Sequence, residues 1–106
     1  MYKDVIFAEK DGELICKIGS DIDHHSARRM REEIDRRLLE IRPHTRTLDF
    51  SSVGFMDSSG LGLILGRVER ADGINASVML TGLSPVIMKL IRLAGLERVK
   101  NLTVVK

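Results

Sequence analysis

The segment 57–60, Asp-Ser-Ser-Gly, places a carboxylate and two hydroxyls at the predicted start of a helix. Unpaired backbone N–H groups and the positive end of the helix dipole favour anions at such a position. Serine is a common helix cap there, and an exposed serine can also accept a phosphate group. A phosphate on Ser58 would add a charge of about −2 beside Asp57 and change that surface sharply. The residue types are therefore consistent with two interpretations of Ser58, a helix cap and a phosphate acceptor.

A serine nucleophile is a third alternative for Ser58, because His24 or His25 could act as its base. The nucleophile elbow of serine hydrolases needs Gly-x-Ser-x-Gly, whereas residues 56–60 read Met-Asp-Ser-Ser-Gly and have only the second glycine. The composition does not exclude a serine hydrolase, but the spacing disfavours one.

The remaining spacings match cofactor and metal sites poorly. Gly60, Gly62 and Gly66 miss the Gly-x-Gly-x-x-Gly spacing of dinucleotide-binding loops by one residue, and the Gly-Lys-Ser/Thr of a P-loop is absent. The segment 23–25, Asp-His-His, could be part of a metal site, but adjacent histidines do not share a helix face and no further ligand cluster exists. We therefore expect neither a bound cofactor nor a metal ion.

Hydrophobic periodicity predicts the elements that position these residues. Their order is β-β-α-β-α-β-α-β, which implies one α/β domain over residues 1–106 with a small, mixed, mostly parallel sheet and packed α-helices. The Asp-Gly pair at 11–12 predicts a hairpin turn between the first two strands. Strands are predicted at 5–8, 14–18, 47–50, 76–81 and 102–105, and helices at 24–41, 58–71 and 86–94.

Two predicted loops lie where a ligand-binding or partner-binding site is expected in an α/β sheet. The loops 19–23 and 51–57 both follow the carboxyl ends of predicted parallel strands, which is the edge where ligands bind in open α/β sheets. If these strands are neighbours, Asp23 lies close to Asp57, Ser58 and Ser59.

The second predicted helix combines an apolar stripe with two internal glycines. Gly62 and Gly66 lie off that stripe, and a glycine within a helix costs about 1 kcal/mol relative to alanine. They indicate a close approach to the backbone, either by the chain's own strands or by a docking partner. Leu63 is predicted to point away from Leu61, where an apolar side chain is either harmless or part of a partner contact. Gly73 is predicted to end the helix. The predicted buried stripe consists of Leu61, Ile64, Leu65 and Val68.

Composition and charge limit the class of partner. The chain has 106 residues, of which 43% are hydrophobic and 30% charged, and a formal net charge of +2. This balance, with three Phe, one Tyr and no Trp, gives no general reason to expect nucleic acid. Arginines between residues 28 and 37 alternate with acidic residues and predict a solvated, salt-bridged helix face. No segment resembles a signal peptide or a membrane span, so we expect a cytoplasmic protein with Cys16 in its core.

One longer pattern resembles a known family. Residues 55–62, Phe-Met-Asp-Ser-Ser-Gly-Leu-Gly, are followed at 64–67 by Ile-Leu-Gly-Arg. This stretch is similar to the signature of the anti-anti-sigma factors, which are STAS-domain proteins that antagonise anti-sigma factors. Ile-Asp-His-His at 22–25 and Leu-Ser-Pro at 83–85 match the same family in the same order. The resemblance spans nearly the whole chain, from the hairpin to residue 96.

The resemblance implies a regulatory binding protein with no catalytic residue and no cofactor of its own. Unmodified members bind an anti-sigma factor that is also an ATP-dependent serine kinase, and so release a sigma factor. The kinase phosphorylates the first serine of the motif, here Ser58, which ends binding, and a PP2C-type phosphatase restores it. The residues expected in or beside the partner contact are Asp23, Ser58, Ser59, Gly60 and Gly62, followed by Asp21, Met56, Leu61 and Leu63.

The resemblance is greatest to the members of the sporulation sigma-F switch, and the alternative is a partner-switching module of a general stress pathway. Members often continue into a further C-terminal helix, whereas this sequence ends at Lys106, just after the last predicted strand. We therefore expect one side of the sheet to be less covered.

Overall fold

The computed structural model describes residues 4–106 and has the predicted order of strands and helices. Residues 1–3, on which the expectation about a signal peptide partly depends, lie outside this range. A short 3₁₀ helix, Leu96–Arg98, was not predicted. The strands are β1 (Val5–Lys10), β2 (Glu13–Ile18), β3 (Thr45–Asp49), β4 (Ser77–Thr81) and β5 (Leu102–Val104), and the helices are α1 (His24–Ile41), α2 (Ser58–Asp72) and α3 (Pro85–Leu93).

The five strands form one sheet in sequential order, β1-β2-β3-β4-β5. β1 pairs with β2 antiparallel, and the other neighbours pair parallel, which confirms the predicted mixed, mostly parallel sheet. Since every parallel connection steps in the same direction, right-handed crossovers place α1, α2 and α3 on one face. Along β3, Arg46 and Leu48 are buried beneath this helical layer, whereas Thr47 on the other face is half-buried.

The hairpin between β1 and β2 follows from its two turn residues. Asp11 and Gly12 both adopt left-handed backbone conformations, with φ of 51° and 80°. A two-residue turn of this kind matches the twist of the flanking strands, and Asp-Gly is well suited to it. The predicted turn is therefore confirmed, although both strands extend closer to it than the hydrophobic pattern indicated.

The buried face of α2 differs from the predicted stripe. Leu65 is 36% exposed, whereas Leu63 is only 3% exposed and lies in the core. The prediction of Leu65 as a buried residue and of Leu63 as a residue facing away from the core is therefore wrong. The cause is Arg67, which is 3% exposed and belongs to the buried face, although it is charged and was not part of the predicted stripe. The residues that α2 buries are Gly60, Leu63, Ile64, Arg67, Val68 and Ala71.

Arg67 is buried because α1 supplies a carboxylate beside it. Arg67 Nε lies 3.0 Å from Asp35 Oδ1, and Arg70 Nε lies 3.2 Å from Asp35 Oδ2. The Arg67–Asp35 contact does not have hydrogen-bond geometry, and Arg67 Nη1 has no hydrogen-bond partner among the described residues. Burial lowers the pKa of Arg67, and the charge of Asp35 opposes this shift. Asp35 thus joins α1 to α2 mainly through charge.

The ends of α2 and α3 differ in how the chain leaves the helix. Gly73 follows α2 with a right-handed φ of −62°, and the left-handed residue is Asn75, with φ of 56°. The prediction of Gly73 at the end of α2 is confirmed in position, but its conformation does not require glycine. At α3 the Ser84 hydroxyl accepts from Ile87 N at 3.3 Å, and Gly95, with φ of 76°, follows the helix.

No helix between residues 4 and 106 is long and apolar enough to cross a membrane.

Candidate functional site

The loops that follow β2 and β3 are joined beyond the ends of these strands. Ile22 and Met56 form an isolated parallel bridge, in which Ile22 N donates to Phe55 O at 2.9 Å and Asp57 N donates to Ile22 O at 3.0 Å. The bridge adds one rung to the pairing of β2 with β3. It brings Asp23 next to Asp57, as the predicted topology required.

Asp21 forms a second tie between the same two loops. Its Oδ1 accepts from Gly54 N at 2.9 Å and from Phe55 N at 3.0 Å. The carboxylate satisfies two backbone donors of the loop that leads to Ser58 and thereby sets the course of that loop. Sequence reasoning named Asp21 only as a contact residue and missed this positioning role, since nothing local in the chain indicates it.

Asp23 caps the amino terminus of α1. Its Oδ1 accepts from His25 N and Ser26 N, each at 2.9 Å, and its own N–H donates to the Ser26 hydroxyl oxygen at 2.9 Å. This reciprocal pair is a capping box. The hydrogen bonds from Ser26 and His25 lower the pKa of Asp23, since they stabilise the ionised carboxylate. Asp23 is exposed and ionised on the same surface as the Ser58 segment.

Asp57, rather than Ser58, caps α2. Its Oδ1 accepts from Ser59 N at 2.8 Å, and its backbone is extended, as a cap residue requires. Ser58 is the first residue of the helix and is exposed. Its hydroxyl makes no hydrogen bond to any residue within 4–106. The cap alternative for Ser58 is therefore wrong, because the preceding aspartate already performs that function.

A groove runs beside Ser58 between the first turns of α1 and α2. It has a volume of about 420 Å³. Its rim is basic on the α1 side, where Arg28 and Arg31 are exposed, and Arg28 Nε lies 3.6 Å from Glu32 Oε1 on the predicted salt-bridged helix face. The groove is lined by His24, Ala27, Arg28, Arg31, Ser59, Gly62 and Leu63.

The two internal glycines of α2 have open space where a side chain would be. A Cβ on Gly62 or Gly66 would meet no atom within 4 Å. The alternative that the chain's own strands pack against these glycines is therefore wrong. Gly62 keeps the groove open because it contributes no side chain to the wall, and the docking alternative stays a prediction.

Gly60 and Met56 form the buried side of the same turn. A Cβ on Gly60 would collide with the Met56 side chain, which is 7% exposed and lies beneath the turn. Leu61 is half-buried against the core. Gly60 and Met56 thus support the exposed segment from below, whereas Leu63, although 3% exposed, contributes to the wall of the groove.

The other chemical candidates are not assembled into sites. His24 and His25 stack edge-to-face, with ring centroids 5.6 Å apart, and neither makes a hydrogen bond with Ser58 in the described part of the chain. Nowhere in residues 4–106 are three or more His, Cys, Asp or Glu side chains grouped so that they could hold a metal ion. Cys16 is fully buried, which confirms its predicted place in the core, and burial raises its pKa to about 12.

Phe55 was missed as a candidate. It is 56% exposed, whereas Val53 and Met56 on either side of it are buried. The sequence signal was present, because an aromatic residue stands three positions before Ser58, but the apolar pattern indicated only that the apolar signal continues through the loop after the strand. Phe55 adds an apolar side chain to the exposed edge next to the three carboxylates.

The chain is a small α/β domain in which the helices cover one face of a sheet of sequential strands. An exposed serine stands at the start of α2. The family model of the STAS domain matches residues 4–104, and the chain therefore belongs to the STAS domain family. A relative from Lysinibacillus sphaericus, described as an anti-sigma F factor antagonist, is 28% identical over 83 residues, which cover 78% of this chain and 71% of the relative.

Solved structures confirm the fold. The anti-sigma factor antagonist SpoIIAA in its unphosphorylated form has a TM-score of 0.80 at 23% identity, and the match covers 96% of this chain and 88% of that one. The phosphorylated form of SpoIIAA, a Bacillus cell fate determinant, has a TM-score of 0.73 at 23% identity, with coverage of 96% and 91%.

Proposed function

We propose that this chain is an anti-sigma factor antagonist whose binding is controlled by phosphorylation of Ser58. The observation that carries the proposal is the state of the Ser58 hydroxyl, which is exposed, stands at the first position of α2, and makes no hydrogen bond within the described chain. A kinase can reach such a hydroxyl without unfolding the helix, because Asp57 already provides the cap. The family membership and the name of the 28% identical relative support the same function.

The charge around Ser58 explains how one phosphate would end binding. The helix start favours an anion locally through its free N–H groups and dipole. Asp57 and Asp23 already place two carboxylates on this edge, and a phosphate adds a charge of about −2. A partner that covers the edge would have to desolvate all of these charges together, which is costly without matching cations.

The unmodified surface suits a protein partner. Phe55 supplies exposed apolar area, Asp23 supplies an ionised carboxylate, and the groove beside Gly62 offers space for a side chain of the partner. Aromatic side chains surrounded by polar groups are frequent in protein interfaces. In this proposal the partner is an anti-sigma factor that is also a serine kinase, and a PP2C-type phosphatase removes the phosphate. The regulated process is sigma-dependent transcription in a sporulation sigma-F switch.

Phosphate transfer from ATP tests the acceptor residue. Purified anti-sigma factor kinases are incubated with the wild-type chain, Ser58→Ala and Ser59→Ala, and incorporation is measured by intact mass. We expect one phosphate on the wild type and on Ser59→Ala and none on Ser58→Ala. Modification of Ser58→Ala, or no modification of the wild type by any kinase of this class, contradicts the proposal.

Binding of the kinase to the unphosphorylated chain tests the switch itself. Ser58→Asp introduces a negative charge, and Ser58→Asn is its matched control, since it has the same size without the charge. We expect Ser58→Asp to weaken binding by at least about tenfold, or about 1.4 kcal/mol, and Ser58→Asn to stay within about threefold of the wild type. Equal affinities of Ser58→Asp and wild type would refute charge control at this residue.

A further inference from the structure

A second cleft lies between the carboxyl ends of α1 and α2, at the opposite end of the sheet from Ser58. Its volume is about 380 Å³, within the range of about 300 to 1,000 Å³ that is typical of small-molecule sites. We call it the arginine cleft. It is lined by Asp35, Leu38, Leu39, Arg42, Arg46, Arg70 and Ile74.

Arg46 is a buried cation that lines this cleft. It is only 4% exposed, because β3 directs it to the same face as Leu48, beneath the helices. Its Nη2 donates to Pro43 O at 3.2 Å, but its Nε has no hydrogen-bond partner within residues 4–106. Burial of an unpaired polar group is costly, and desolvation lowers the pKa of Arg46. Arg46 thus has a donor that no acceptor of the described chain satisfies, and its side chain forms part of the cleft wall.

The cleft has an excess of cations. Asp35 is the one carboxylate among its lining residues, and its two oxygens already lie in ion pairs with Arg67 and Arg70. Arg42 and Arg46 make no direct ion pair with any carboxylate in the described chain. Guanidinium groups bind carboxylates and phosphates through paired hydrogen bonds, so these two arginines favour an oxyanion.

Apolar side chains stand beside the cations. Leu39 is 68% exposed and Ile74 is 58% exposed, and both line the cleft. Leu38, at 6% exposure, forms the base. Contact with an apolar group would remove this surface from water and stabilise the complex by about 25 cal/mol per Å² buried.

We propose that the arginine cleft binds a small amphipathic anion. Its carboxylate or phosphate head group pairs with Arg42 and Arg46, and its short apolar body lies on Leu39 and Ile74. The two requirements come from separate observations, the two guanidinium groups without an ion-pair partner among residues 4–106 and the exposed aliphatic side chains. Binding here involves neither Ser58 nor a kinase, so its test is independent of the proposed switch.

NMR titration of the unmodified, ¹⁵N-labelled chain tests this proposal. The probes are hexanoate and hexyl phosphate, with hexanol lacking the charge and inorganic phosphate lacking the apolar body. We expect at least one of the two amphipathic anions to produce saturable shifts at the Arg46 Nε–H and at the amides of Leu39 and Ile74. Hexanol and inorganic phosphate should bind at least about tenfold more weakly. The anion that binds more tightly identifies the head group that the arginine cleft prefers.

Three variants assign the binding to the cleft. Arg42→Asn removes a charge at an exposed residue with φ of 52°, a conformation that asparagine tolerates, so the fold should be retained. Arg46→Gln removes the buried charge, and Arg98→Gln is the matched control on the 3₁₀ helix, outside the cleft. We expect both cleft variants to weaken binding by about tenfold and the control to leave it unchanged.

Several results would overturn the proposal. The absence of saturable shifts with both amphipathic anions would remove the site. Hexanol binding as tightly as hexanoate would remove the ionic contact, and inorganic phosphate binding as tightly as hexyl phosphate would remove the apolar one. Unchanged binding by Arg42→Asn and Arg46→Gln would place the ligand elsewhere on the chain.

Discussion

At the Ser58 end of the sheet, Asp21, Asp23 and Asp57 each accept hydrogen bonds from backbone N–H groups. At the opposite end, three arginines surround one aspartate, and a buried guanidinium keeps an unused donor. The two ends therefore differ in how charge is compensated. One end satisfies its acidic side chains through the main chain, whereas the other has more cationic side chains than its own acid can neutralise.

This difference indicates which changes each end should tolerate. Caps and loop ties at the Ser58 end are exposed or only partly buried, so the loss of one should cost little and leave the helices packed. At the arginine end the helices are joined through Asp35, and the loss of that carboxylate leaves buried cations without compensation. The largest effects on stability should therefore come from the end that is remote from the proposed switch.

The largest effect is expected from Asp35→Asn. Loss of the charge leaves Arg67, which is 3% exposed, without a counter-ion, and we expect the free energy of unfolding to fall by about 3 kcal/mol. Glu32→Gln on the same helix breaks an exposed pair with Arg28 and should cost about 0.3 kcal/mol. Urea denaturation measures both, and adding Arg67→Met to Asp35→Asn should recover most of the loss. Equal costs for the two single variants would remove the contrast between the ends.

An intermediate effect is expected at the cap of α2. Asp57→Ala removes the acceptor of the Ser59 N–H and should lower the free energy of unfolding by about 1 kcal/mol. Ser58→Ala is the matched control one residue later, and its cost should stay within about 0.5 kcal/mol, because its hydroxyl caps nothing. Thermal unfolding of both variants checks the assignment, and a larger loss in Ser58→Ala would restore serine as the cap.

The smallest effect is a dependence on pH at Asp23. Its pKa in the folded chain is lowered from the ordinary value of 3.8 by the Ser26 and His25 hydrogen bonds. A lowered folded pKa means that the stabilisation is fully present above the ordinary value and is lost as the pH falls through the folded pKa. The stability difference between wild type and Asp23→Asn, measured in urea, should therefore shrink between about pH 7 and about pH 2. Asp72→Asn is the control at an exposed carboxylate with no cap role, and an equal trend in both variants would contradict the assignment.

Local rules were sufficient for most of the fold. Hydrophobic periodicity predicted a helix over residues 24–41, which are the bounds that α1 has in the structure. The Asp-Gly turn was also predicted, because it depends on two residues that are adjacent in the chain. The predicted proximity of Asp23 to the Ser58 segment needed only strand order and the position of active edges in α/β sheets.

Features that depend on distant residues were missed. The burial of Arg46 and Arg67 was not predicted, because nothing near Arg67 in the sequence shows that Asp35 would lie beside it. The Asp21 tie spans more than thirty positions to Gly54 and Phe55, so no periodicity reveals it. For α2, a charged residue within the true buried face was enough to shift the predicted stripe by one position.

The strand order also bears on how the chain folds during synthesis. Each strand of the sheet pairs with the strand made just before it, so loop closure is short at every step and folding should be fast. Since chains emerge from the ribosome amino terminus first, β1, β2, α1 and β3 can assemble before β4 and β5 are available. The bridge between Ile22 and Met56 is complete at that stage. The edge that presents Ser58 can therefore form while the last third of the protein is still being translated.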